Sequence, residues 1–347
     1  MSCTSPVETI APSRRSLRRV VRAELGRAIP TSVGALQFLG LLTLFLFAVQ
    51  VVTGLLLMVY YRPSVEAAHH SMGVIIDEVR LGWLIRSLHE WGSDLLILTA
   101  LLHLIRVYFA RAYQPSQGAS WVTGIALLLV MLGFAFTGTL LPWDQYAYWA
   151  TDSSRETIAR IPLIGSALLG LFWGGWDIGE EVLLRFYAFH VGILPWVALV
   201  WVGFHLLTVW YVGLKRPVLL DEADHARGGR VLDDLLLAWV MVGLLVIGVF
   251  FTLAILVPQP LLPQADPLSP LLNVQPPWYL LPARSVLRHV PRLAAVLIVL
   301  AMLTVVLSVP FLDRRERESL LGKGLRWLLG VSAIAAWIIL AIQQYRS

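Results

Sequence analysis

The stretch "RSLHEWGSDLLILTALLHLIRVY", residues 86–108, is apolar enough through its middle to lie in a bilayer. Yet it carries His89 and His103, with Arg86 three residues before the first and Arg106 three after the second. Ionisable groups inside a membrane span are costly and mark function, so two imidazoles on one such helix require a reason. The separation is 103 − 89 = 14 residues. At a rise of 1.5 Å that is about 21 Å along the axis, and about 14 residues bring the chain back to nearly the same helix face.

The rest of the chain supports a membrane setting. It is 58% hydrophobic and 14% charged, with a mean hydropathy of +0.73; soluble domains are about 45–50% apolar and about 25% charged. Seven segments reach the roughly 20 apolar residues that a crossing helix needs: 34–60, 88–109, 121–140, 186–212, 233–257, 292–311 and 325–343. Alternating strand patterns are absent, which argues against a barrel. The fold expected is all-α and integral to the membrane, with a four-helix bundle followed by three helices. Its parts are a basic segment 1–30, a four-helix domain 31–212, a connection 213–230 and a three-helix domain 231–347.

The single cysteine, Cys3, excludes an internal disulfide framework or thiolate metal site. Residues 1–30 lack the apolar run of a cleavable signal. Their stretch "RRSLRRVVRAELGRAI" sets Leu17, Val20, Val21 and Leu25 on one helical face among arginines, the pattern of a helix lying on an anionic membrane surface. Basic residues also set orientation. Arg14, Arg15, Arg18, Arg19, Arg22 and Arg27 precede the first span. Arg106 and Arg111, then Lys215, Arg216, Arg227 and Arg230, then Arg314, Arg315, Arg317, Lys323 and Arg326 fall on that same side. This predicts a cytoplasmic N-terminus in a bacterial cytoplasmic membrane. The net charge of +5 is thus a topology signal and not a nucleic-acid signal. Two long connections, 141–185 and 258–291, lie on the outer side.

A second helix repeats the histidine pattern. His190 and His205 lie 205 − 190 = 15 residues apart on the fourth segment. If segments two and four run side by side, His89 meets His190 near the outer side, and His103 meets His205 near the inner side. Two sites with two neutral imidazoles each suit two b-type hemes, whereas a bare metal ion wants three or four protein ligands. Glycines keep the same period: Gly40 and Gly54 on the first segment, Gly124 and Gly138 on the third. Glycine lets a flat ring approach the backbone, which predicts porphyrins lying against these two helices. Arg86 and Arg106 are placed to meet heme propionates, with snorkelling to the interface as the plainer alternative.

Several stretches together then resemble the cytochrome b of the cytochrome bc and bf complexes: "VQVVTGLLLMVYYRPSV" (49–65), "GWLIRSLHEWGSDLLILTALLHLIRVY" (82–108), "WVTGIALLLVMLGFAFTGTLLPWDQYAYWA" (121–150), "IPLIGSALL" (161–169) and "LRFYAFHVGILPWVALVWVGFH" (184–205). The 15-residue spacing and the "PWDQ" motif resemble the chloroplast-type branch, with its four-helix and three-helix parts here fused near 213–230. The resemblance implies a quinol:cytochrome c (or plastocyanin) oxidoreductase subunit working with a Rieske iron–sulfur protein, a c-type cytochrome and quinone, in a complex that is a homodimer. Quinol is oxidised at the outer side, electrons cross through the two hemes to a quinone reduction site, and protons are translocated.

The chain also departs from that family. "QPPWYLLP" (275–282) resembles its Pro-Glu-Trp-Tyr motif, but Pro277 stands at the glutamate. Pro276, Trp278 and Tyr279 remain, with Tyr279 expected to orient the quinol, and Asp144 or Asp266 to accept a proton in place of the glutamate. "PPWY" as no more than a rigid loop is the alternative. Phe38 stands where the chloroplast-type protein attaches a covalent heme through cysteine, and Trp210 where it has an arginine; no covalent heme is expected. Two other readings remain: a di-heme anchor of a different quinone-linked oxidoreductase, and a transporter with polar membrane histidines.

Overall fold

Lipid offers the backbone no hydrogen-bond partners, so membrane spans close into helices. The computed structural model describes residues 38–113, 117–159, 161, 165–174, 177–215, 232–271, 274–313 and 319–346. The basic segment 1–30, Cys3, most of the 213–230 connection and Arg314, Arg315 and Arg317 lie outside them.

The chain runs through α1 (Leu39–Met58), α2 (Ala68–Asp77), α3 (Gly82–Phe109), α4 (Gly118–Thr139), α5 (Gln145–Ala159), α6 (Gly165–Phe172) and α7 (Glu180–Tyr187). A π-helical segment (Ala188–Ile193) joins α7 to α8 (Leu194–Lys215). There follow α9 (Leu232–Leu256), a 3₁₀ turn (Trp278–Leu280), α10 (Leu281–His289), α11 (Arg292–Leu312) and α12 (Leu320–Arg346). Six helical stretches are long and apolar enough to cross a membrane among the described residues: α1, α3, α4, the α7–α8 unit, α11 and α12. The 25-residue helix α9 stands where the fifth crossing is expected. Helix α3 begins at Gly82, six residues before the apolar run, because its first turns carry polar groups that the protein itself buries, among them Arg86 and Ser87.

Helix α1 packs on α3, and α4 on the π segment and α8, forming the four-helix bundle; α9 packs on α3 and α11 on α4. Large apolar side chains on α8, α9, α11 and α12, such as Leu199, Leu244, Leu297 and Leu328, are exposed, as lipid-facing positions should be. Inside, Leu42, Leu46, Phe47, Leu96, Met131, Ala198 and Phe250 make one core. At one end of the bundle Trp143, Trp173, Leu183 and Phe186 make another around α2 and α5–α7.

The two long connections, 141–185 and 258–291, are tied together. Gln145 N–H donates to the Pro263 carbonyl at 2.9 Å and Ala265 N–H to the Trp143 carbonyl at 3.1 Å, an isolated antiparallel bridge centred on Asp144 and Gln264. At the opposite end of the bundle, Arg111 pairs with Asp313, and the Tyr113 hydroxyl donates to the same carboxylate at 2.9 Å. This fastens the α3–α4 connection to the end of α11.

Candidate functional site

The bundle brings the histidines together in the expected pairs. The His89 and His190 rings lie 6.2 Å apart, centroid to centroid, edge to face. His103 and His205 form the second level, within electrostatic reach of each other. All four histidines are intermediate in exposure and sit between the helices of the bundle.

How 14 and 15 residues reach equivalent registers is visible in the backbone. Fifteen α-helical residues overshoot four full turns by about 60°. The π segment Ala188–Ile193 contains His190, and its wider turn absorbs one residue between the two histidines. The α7–α8 unit thereby presents its imidazoles as α3 does.

The glycines stand beside the histidines themselves. A Cβ on Gly138 would lie 2.8 Å from His190 Cε1, and one on Gly40 2.9 Å from His103 Cε1. The corresponding distances are 3.2 Å from Gly54 to His89 and 3.3 Å from Gly124 to His205. An imidazole reaching into a narrow bundle must lie flat on the neighbouring helix, and only a residue without Cβ leaves the room. Each level has one tight and one looser glycine.

The residue before three of these glycines is a threonine, and it holds the ring. Thr53 Oγ1 lies 2.9 Å from His89 Nδ1, Thr123 Oγ1 3.0 Å from His205 Nδ1, and Thr137 Oγ1 3.2 Å from His190 Nδ1. The Phe134 carbonyl also lies 3.0 Å from His190 Nδ1 and accepts its N–H. Occupying Nδ1 fixes the tautomer and leaves Nε2 as the ligating atom. The fourth glycine, Gly40, follows Leu39, and His103 Nδ1 is buried with no partner among the described residues. The sequence signal was present: "VTG" at 52–54 and 122–124 and "FTG" at 136–138.

The arginines are placed differently from each other. Arg86 is buried, bonded to Glu90 Oε1 at 2.7 Å and to the Gln259 carbonyl at 2.5 Å, while its Nε has no partner among the described residues. Arg106 is partly exposed. Two neutral imidazoles per level, rings backed by glycine, Nδ1 turned away at three of four, and a buried guanidinium N–H to spare form a donor set that fits a flat, carboxylate-bearing macrocycle. Among the described residues no three His, Cys, Asp or Glu cluster as a bare-metal site would require.

In the second long connection, Pro277 lies in extended, polyproline-like backbone (φ −50°, ψ 147°) and leads into the turn carrying Trp278 and Tyr279. The Tyr146 hydroxyl donates to the Gln275 carbonyl at 3.1 Å. Trp278 packs against Trp337 of α12, and its Nε1–H donates to Asp94 Oδ1 of α3 at 3.2 Å. Burial, then the charge of Asp94, push the Tyr279 phenol well above its ordinary range, so it is a hydroxyl at neutral pH. Asp144 and Asp266 are both engaged by backbone N–H groups. Asp144 Oδ1 accepts Ala147 N–H at 2.9 Å and its Oδ2 accepts Leu262 N–H at 3.2 Å; it caps α5 and anchors the second connection. Asp266 is exposed and accepts Leu268 N–H within its own turn. Asp144→Asn removes one of two backbone contacts and should cost about 1–3 kcal/mol of stability, read as a lowered unfolding midpoint, with no change in heme content.

The chain matches the family model described as cytochrome b/b6/petB over residues 25–213 and the one described as cytochrome b (C-terminal)/b6/petD over residues 264–345. It is 34% identical over 287 residues to the cytochrome bc complex cytochrome b subunit of Chlorobaculum thiosulfatiphilum, covering 81% of this chain and 67% of that one. It is 34% identical over 218 residues to cytochrome b6 of Prochlorococcus marinus (strain MIT 9303), covering 63% of this chain and 100% of that one. Among solved structures, a chain of a hyperthermophilic respiratory Complex III superposes with a TM-score of 0.83 at 25% identity, covering 96% of this chain and 89% of that chain. Fold and site thus define a multi-pass membrane subunit of the bc-type oxidoreductase complexes. The chain belongs to the cytochrome b family, with the parts matched by the N-terminal and C-terminal models in one polypeptide.

Proposed function

We propose that the chain is the cytochrome b subunit of a quinol:cytochrome c oxidoreductase, which oxidises quinol at the outer side and passes electrons across the membrane through two non-covalent b-type hemes to a quinone reduction site, with coupled proton translocation. The observation that carries the reading is the two-level arrangement of paired imidazoles on α3 and the α7–α8 unit, each ring seated on a glycine. His89 and His190 would hold the outer heme iron, and His103 and His205 the inner one. When bound, the hemes supply one-electron acceptor sites at two depths of the bilayer.

The chain's own groups do the rest. Thr53, Thr123 and Thr137 fix three of the four rings. Arg86, through its spare Nε–H, and Arg106 would donate to the heme carboxylates. Pro276, Trp278, Tyr279 and Tyr146, between the bridged outer connections, line the quinol pocket. Tyr279, protonated, donates its O–H to a quinol oxygen and orients it. The partners proposed are a Rieske iron–sulfur protein, a c-type cytochrome and quinone, in a homodimeric complex of a bacterial cytoplasmic membrane with the N-terminus cytoplasmic.

Thr53→Val keeps the volume and removes the hydroxyl at His89. Loss of such an outer hydrogen bond costs about 10–100-fold in metal affinity, so the outer heme should be lost first on dilution in detergent, seen as a selective fall in one redox component. The function itself is tested by adding quinol to the purified complex and following heme reduction, then reduction of a c-type cytochrome. Quinol-dependent reduction of both supports the reading. Hemes that quinol leaves oxidised would contradict it.

A further inference from the structure

The 276–279 segment contains no acid, yet a carboxylate reaches it from another helix. Asp94 of α3 accepts the Trp278 indole N–H through Oδ1 at 3.2 Å. Its Oδ2 has no hydrogen-bond partner among the described residues, and the side chain is only partly exposed. The Tyr279 and Tyr146 phenols both feel its charge, which places it among the aromatic groups of the pocket. The other two acids considered for this role are engaged or remote: both oxygens of Asp144 are taken by backbone N–H groups, and Asp266 sits in an exposed turn. A proton acceptor must lie within hydrogen-bond reach of its proton. Asp94 reaches the turn directly through its bond to Trp278, whereas Glu90, whose Oε2 is also unpartnered among the described residues, is paired with Arg86.

We propose that Asp94 is a catalytic residue that accepts a proton from quinol, replacing from α3 the acid that the Pro276–Tyr279 segment lacks. The proposal rests on the quinol-oxidation reading above. In the step, one quinol O–H bond breaks and an O–H bond forms at Asp94 Oδ2. The two electrons leave by the routes already proposed, one to the iron–sulfur protein and one into the membrane path, and the second quinol proton leaves with the iron–sulfur branch. Asp94 then returns its proton to the outer aqueous side, which restores the carboxylate. The Trp278 N–H bond to Oδ1 holds the carboxyl group beside the turn. The titratable groups that feel its charge are Glu90 on the same helix, Tyr146 of α5 and Tyr279 on the 3₁₀ turn, and Glu90 and Tyr146 also feel Asp144, Tyr146 in addition Arg284 of α10.

The test uses the purified complex with Asp94→Asn, Asp94→Glu and wild type. Asparagine keeps a carbonyl oxygen for Trp278 and removes the base. General-base contributions are about 10²–10⁴-fold, so Asp94→Asn should lower kcat about 100-fold or more, with KM changed by less than about threefold and both heme potentials kept. Asp94→Glu should recover most of kcat with a displaced pH–kcat profile. Wild-type kcat in Asp94→Asn, with its hemes present, overturns the proposal. Should Asp94→Asn lose its hemes, Asp94→Glu decides: a displaced profile supports the role, and one superimposed on wild type overturns it. If wild type itself shows no quinol-dependent heme reduction, the parent reading has failed, and that outcome is distinct from a wild-type enzyme indifferent to Asp94.

Discussion

Replacing His190 with leucine is expected to remove one b-type heme and abolish quinol oxidation while leaving the other heme in place. His190 stands at the outer level, 6.2 Å from His89, and its ring is fixed by Thr137 and the Phe134 carbonyl. Leucine fills a similar volume without a nitrogen, so the bundle should still assemble. Iron bound through His89 alone loses an axial ligand, and the site's binding energy falls with it. The inner level, with its own histidines, glycines and Thr123, shares none of these contacts. A pyridine hemochrome assay should therefore report half the wild-type heme, with one redox component missing. His69→Ala is the control: His69 Nε2 meets the Leu262 carbonyl at 2.8 Å in the outer connections, and its loss should leave the heme count unchanged.

Adding a single methyl at a glycine is expected to have nearly as large an effect, graded by the space each glycine has. Gly138→Ala places Cβ 2.8 Å from His190 Cε1 and 3.2 Å from Nδ1, too close for carbon against carbon. The ring cannot retreat without breaking its bonds to Thr137 and Phe134, because Nδ1 faces the same helix. Overpacking of this kind costs about 1–3 kcal/mol, and here the strain falls on a ligand whose position sets coordination. Gly54→Ala, at 3.2 Å from His89 Cε1, needs only a small shift. The outer heme should thus be depleted much more by Gly138→Ala than by Gly54→Ala. At the inner level Gly40→Ala, at 2.9 Å, should be worse than Gly124→Ala, at 3.3 Å. Equal losses at all four positions would mean that the glycines serve general helix packing.

Much of this was legible in the sequence because a membrane span makes polar residues conspicuous. Four histidines at spacings of 14 and 15, with glycines at 14, stand out against an apolar background, and the bundle pairs them as expected. The reason that 15 can equal 14 was not legible, since the π turn at Ala188–Ile193 is a backbone adjustment without a distinct composition. The glycines were read for space beside the backbone, and an imidazole of the partner helix stands next to each of them. The threonines of the Thr-Gly pairs were readable, yet threonine in a membrane helix is commonly bonded to the carbonyl four residues back, as Thr53 also is to Val49, so its second bond shows only in three dimensions. Asp94 was hidden by sequence distance, since 184 residues separate it from Trp278. Arg86 and Glu90 show the same limit, as the Gln259 carbonyl that completes their group comes from a connection 173 residues away.

The central claim is that one chain holds two hemes, each between a histidine of α3 and a histidine of the α7–α8 unit. The most direct test is a potentiometric titration of the purified complex with a pyridine hemochrome count per cytochrome b chain. Two b-type hemes per chain, titrating as separate one-electron components and extracted fully by acid–acetone, are the predicted result. A single heme per chain, or a heme that stays on the polypeptide after extraction, would contradict the account.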